Sequence, residues 1–148
     1  MKSFTLKSLR RIQLFWGFFI GVGAYFGAFM MITDPSGETF GMAPMLPYFQ
    51  TLPFAEKLFQ NFLVSGILLL LINGVTNTIS VIMLLKHYKY GALSGLCCGI
   101  ILMLWIIVQL IIFRGFNPVS VSFFIFGLLQ AFNGWMLVRK GKQEDITI

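Results

Sequence analysis

Gly91–Phe113 reads GALSGLCCGIILMLWIIVQLIIF, a run of 23 residues without one Asp, Glu, Lys, Arg or His. At about 1.5 Å rise per residue a helix of this length reaches about 35 Å, enough to cross a hydrocarbon layer of about 30 Å. Three further stretches read the same way: residues 11–32, 62–85 and 118–138, with Arg11 at the first edge their only ionisable side chain. The chain is therefore expected to be an all-α integral membrane protein, an antiparallel bundle of four transmembrane helices. It is read as one membrane domain over residues 1–148, with a long external loop at 33–57. Composition agrees: 57% of the residues are hydrophobic and only 11% charged, against about 25% charge in an ordinary soluble domain.

The charges that remain orient the spans. Lys2, Lys7, Arg10, Arg11, Lys86, Lys89, Arg139, Lys140 and Lys142 fall on one side. Lys57 and Arg114 fall on the other, with Asp34, Glu38 and Glu56. The positive-inside bias then puts both termini in the cytoplasm. The first apolar run is too long for the core of a cleaved signal peptide, so it is read as a retained span. The net charge of +6 belongs to this topology. The basic residues sit at span ends and form no stripe, so nucleic acid is not an expected partner.

The absent groups exclude much. Ionisable side chains inside a membrane usually carry proton relays, ion coupling or chemistry. These spans hold no interior carboxylate, and the chain has no Gly-rich phosphate loop and no H-E-x-x-H motif, so no metal or cofactor is expected. Cys97 and Cys98 are adjacent, point about 100° apart on a helix and make no Cys-x-x-Cys pair; they read as small apolar packing residues. His87, the single histidine, reads as a solvated interfacial residue.

Small residues mark where helices can approach closely. Gly17 and Gly21, then Gly23 and Gly27, make two G-x-x-x-G spacings in the first span. Gly91, Gly95 and Gly99 form a ridge at four-residue spacing in the third. Asp34-Pro35-Ser36-Gly37 suits a type I turn at the end of the first span. The loop beyond it is too apolar for free solvent. It is expected on the bilayer surface or over the bundle mouth, with a short helix near Pro53 leading into the second span. Asn117 before Pro118 reads as an N-cap and first helical position.

One polar constellation stands inside the spans. Asn73 and Asn77 lie one turn apart on the second helix, and Gln130 and Asn133 on the fourth. Counted from the outer boundary, both pairs sit about 16–23 Å deep, near the midplane. Carboxamides facing acyl chains cost several kcal/mol. The two pairs are therefore expected to turn inward as one polar layer, with Gly17 and Gly21 leaving room beside it. The ordinary role of such a layer is hydrogen bonding between helices. The functional one is a hydrated cavity for a small polar group. A second polar cluster is expected outside, from Gln109 and Arg114 with Asp34 and Glu38.

Asp34-Pro35-Ser36-Gly37, Leu52-Pro53-Phe54, Ser65-Gly66 with Asn73-Gly74, and Trp105 with Gln109 follow one another in an order that resembles a loose group of small uncharacterised four-span bacterial membrane proteins. The resemblance runs over roughly residues 14–135, with Ser65 where that group has proline. It implies a bacterial cytoplasmic membrane and brings no activity. The expected function is a non-enzymatic accessory, regulatory or immunity-type role, acting on another membrane protein or a second copy of itself through the small-residue faces. The alternatives are a carrier, or carrier subunit, for a small neutral or amphiphilic solute held by the amide layer, and a lipid-modifying enzyme under the external loop.

Overall fold

The structure, a computed structural model, describes residues 5–146. Lys2, counted above among the inner charges, lies outside them. Among the described residues, four helices are long and apolar enough to cross a membrane: α1 (Leu6–Thr33), α2 (Leu63–Leu85), α3 (Gly91–Phe113) and α4 (Pro118–Ile146). They form a four-helix bundle, and the chain is a small multi-pass membrane protein in contact with a lipid bilayer. The outward faces suit that surrounding: Phe15, Phe18, Phe26 and Phe29 stand exposed along α1, where acyl chains replace water as the neighbour.

α1 begins five residues earlier than the apolar run. The Thr5 hydroxyl accepts from the Ser8 backbone N–H, an N-cap that starts the helix at Leu6. Lys7, Arg10 and Arg11 therefore ride on the helix itself. α4 likewise runs past Val138, carrying Arg139 beyond the apolar stretch, where its guanidinium lies 5.0 Å from the Trp135 ring centre. Its start is capped by Asn117, whose Oδ1 accepts from the Val119 N–H at 2.9 Å.

α2 is not uniform. Its middle turn, Leu70–Val75, is a π-helix between α-helical halves Leu63–Leu69 and Thr76–Leu85. A π turn lengthens the backbone register from i+4 to i+5, and each carbonyl in it keeps a second lone pair that can accept from a side chain. Three successive side chains do the donating. Thr76 Oγ1 donates to Ile72 O, Asn77 Nδ2 to Asn73 O and Thr78 Oγ1 to Gly74 O, at 2.5, 2.8 and 3.0 Å. The run Thr76-Asn77-Thr78 thus back-bonds three successive carbonyls of the π turn.

Close approach governs the packing. A Cβ on Gly99 would stand 2.5 Å from Ala131 N and 2.7 Å from Gly127 O, and one on Gly134 would stand 2.7 Å from Leu96 N. α3 and α4 therefore meet backbone to backbone. Two apolar clusters fill the bundle. Leu9, Leu84 and Leu137 close the end where the charges gather. Ile20, Leu102 and Ile106 fill the other half, with Trp16, Trp105 and Phe123 against them.

The external segment is a folded cap. Asp34 closes its turn through Gly37 N–H to Asp34 O at 3.0 Å, and Gly37 takes φ +75° against the Phe62 ring. Phe49 packs edge-on to Phe62 and Phe113 at ring distances of 5.5 and 5.3 Å. The loop is thereby pinned to the outer ends of α2 and α3. The helix expected near Pro53 is only Ala55–Leu58, preceded by Phe54 at φ 62°, and it does not run into α2. A turn and the Phe62 N–H to Pro35 O bond intervene.

Candidate functional site

Between the two apolar clusters lies a layer of carboxamides. Gln130 Nε2 donates to Asn77 Oδ1 at 2.8 Å, joining α4 to α2. Asn133 Nδ2 donates to Gln13 Oε1 at 2.7 Å and to Leu9 O at 2.9 Å, joining α4 to α1. Gln13, Asn73, Asn77 and Gln130 are essentially without exposed surface, and Asn133 is buried too. Ser80 and Ser94 extend the layer, their hydroxyls 3.0 Å apart.

Gln13 is the member that sequence reading passed over. It lies outside the depth window drawn from the outer boundary, one turn closer to the inner end than Gly17. A signal was present: Gln13, Gly17 and Gly21 stand four apart, and all three are buried. The room for Gln13 comes from Gly95 of α3, where a Cβ would collide with its carboxamide.

The glycines singled out in sequence divide between two settings. A Cβ on Gly17 would meet Val81 at 2.8 Å and one on Gly21 would meet Asn77 at 3.5 Å, so both face α2 beside the amides. Gly91 abuts Met83 and Leu84 backbone, Gly95 faces Gln13 and Gly99 faces α4. These faces are covered by the chain's own helices. The expectation that they serve as open docking faces is corrected accordingly, since tight internal packing occupies them. Gly23 and Gly27 instead border a cavity.

That cavity measures about 180 Å³ and lies in the outer half of the bundle, with all four helices contributing. Ile20, Leu102 and Ile106 form apolar wall, and Trp105, Gln109 and Ser120 line it further out. Asn73 borders it on α2. Neither Asn73 Nδ2 nor Oδ1 has a hydrogen-bond partner, although the side chain is only 1% exposed. Gln13 Nε2 and Gln130 Oε1 are also unpaired. Each buried orphan costs about 1–3 kcal/mol, so among the described residues the carboxamide with both ends free carries the largest such cost.

The external residues are not assembled as expected. Asp34 spends its carboxylate on its own turn: Ser36 Oγ donates to Oδ1 and the Thr39 N–H to Oδ2 at 2.7 Å. Those bonds hold its carboxyl below the ordinary carboxylate value. Glu38 and Arg114 are exposed, and Arg114 ends α3 in a left-handed conformation at φ 50°. Gln109 belongs to the cavity wall instead. Among the described residues no hydrogen bond or ion pair joins Asp34, Glu38, Gln109 and Arg114, so the external cluster is corrected to four separate groups.

At the opposite end His87 is not simply solvated. Arg10 Nη1 donates to His87 Nδ1, and Arg10 Nη2 to Leu84 O, a carbonyl at the end of α2 that also accepts from the His87 N–H. Cys98 is buried and Cys97 exposed on α3. No group of acidic, His and Cys side chains among the described residues is arranged to hold a metal ion. No protein family, curated protein or solved structure was found to match this chain.

Proposed function

We propose that the protein is a non-enzymatic accessory or regulatory component of a bacterial cytoplasmic membrane that works by holding a small neutral or amphiphilic solute inside its bundle. One observation carries the reading: Asn73 has both carboxamide atoms unpaired at the border of the outer cavity. The neighbouring amides already bond across helices, whereas Asn73 contributes only its backbone carbonyl to the layer. Its place in the π turn supports the same reading, since such turns gather at functional sites. A receptor fits better than a carrier. Past Asn73, the Asn77–Gln130 and Gln13–Asn133 bonds and the backbone contact of Gly99 with Ala131 close the path. The resemblance to small four-span bacterial proteins supports a bacterial cytoplasmic membrane, and the nine-to-two basic asymmetry supports cytoplasmic termini.

Purification in mild detergent, followed by mass spectrometry of extracted small molecules, tests the reading. A neutral compound should accompany the native protein and fall about ten-fold in Asn73→Leu of unchanged helicity. Equal recovery from both would contradict it. Reporters fused at either end should read as cytoplasmic, and an external signal from either would overturn the orientation.

A further inference from the structure

Resting on the reading that Asn73 holds a solute, we infer the solute's chemical class: a neutral molecule with an apolar body little larger than benzene and a head that presents a hydrogen-bond donor and acceptor side by side, as in a primary amide, a lactam or an un-ionised carboxylic acid. The head follows from Asn73 itself. A carboxamide with Nδ2 and Oδ1 both free is matched by a group that accepts from the one and donates to the other. A ketone or ether leaves Oδ1 unpaired, and a hydrocarbon leaves both.

Neutrality follows from the wall. None of the residues lining the cavity carries a charge, and an ion there would be buried without a counter-charge. Size follows from the volume. A dry engineered cavity of about 150 Å³ admits benzene, so about 180 Å³ admits an aromatic ring or short chain bearing one such head. Gly23 and Gly27 help make the space: a Cβ at Gly23 would enter contact with the Phe123 ring at 3.6 Å, and one at Gly27 would press on Leu69 at 3.0 Å. The bound molecule places its head against Asn73, at the border of the cavity, and its body toward Trp105.

Trp105 is a built-in reporter. In Trp16→Phe/Trp135→Phe protein in lipid nanodiscs, 4-bromobenzamide and bromobenzene serve as quenching probes of nearly equal shape, with concentrations corrected for partition into empty nanodiscs. The amide should quench Trp105 saturably with an apparent affinity about ten-fold above that of bromobenzene. In Asn73→Leu that preference should disappear. Gly23→Leu, which fills the space and keeps Asn73, should abolish saturable quenching by either probe, and so covers the case of an unstable Asn73 variant. Equal affinity of the two probes for the native site would overturn the chemical class and leave solute binding intact. Absence of saturable quenching by both probes would overturn the class and the solute-binding reading together.

Discussion

Asn77 shows how much one carboxamide can hold. Its Nδ2 supports the π turn at Asn73 O while its Oδ1 accepts from Gln130 across the bundle. Gln130→Leu leaves Asn77 Oδ1 without a partner and should destabilise the protein by about 1–3 kcal/mol. The double variant Asn77→Leu/Gln130→Leu should cost less than the two single changes together, with a coupling of about 0.6 kcal/mol and at most about 2. Unfolding titrations in mixed micelles measure both quantities. Asp34 makes a prediction in pH. Its folded carboxyl titrates below its unfolded value, because Ser36 and Thr39 donate to the carboxylate. The order it gives the turn is complete above the ordinary carboxylate value of about 3.9 and is lost as pH falls through the lower folded value. A carbon-detected NMR titration of Asp34 should place its midpoint below that of a short peptide. At this scale the amides of α2 and α4 were legible, because polar groups stand out in apolar runs. Gln13 was not, because it stands one turn nearer the inner end of α1 than the depth shared by the other amides, and only the folded bundle brings Asn133 to it.

Each helix reports a different kind of legibility. α3 matches its apolar run residue for residue, since Gly91 and Phe113 are bounded by sharp turns at His87–Tyr90 and Arg114. The ends of α1 and α4 were hidden because their charged extensions are as helical as the spans. The π turn of α2 had no hydropathy signature at all; only the donor run Thr76-Asn77-Thr78 betrays it. Thr78→Val removes the donor to Gly74 O and the Tyr25 contact at 2.8 Å. It should cost about 1 kcal/mol and shift the amide resonances of Leu70–Val75 in NMR spectra. Small residues were legible in the first and third spans, but their partners were not: Gly127 and Gly134 of α4 complete the contact that Gly99 begins. Gly99→Val should destabilise the bundle by about 3 kcal/mol, since the obstruction is backbone. Gly141→Ala, where no atom lies within 4 Å, should stay within about 0.5 kcal/mol.

For the molecule as a whole, four crossings were legible because hydrocarbon thickness sets a length that few other constraints imitate. The cap was legible only as an apolar loop. Its docking depends on Phe49 finding Phe62 and Phe113 from distant parts of the chain, a matter of tertiary packing with no local signal. Phe49→Ala should cost about 3 kcal/mol and open the 34–62 segment to protease added outside sealed vesicles. The cavity was equally hidden, because it is bounded by all four helices and belongs to none. The cavity's polar border depends on one arrangement, in which the carboxamides of α1, α2 and α4 face each other and not the lipid. Solid-state NMR on labelled protein in bilayers tests that arrangement most directly. Through-space correlations should connect Gln130 Nε2 with Asn77 Cγ and Asn133 Nδ2 with Gln13 Cδ. Correlations of these side-chain amides with acyl-chain protons, and none between the helices, would contradict it.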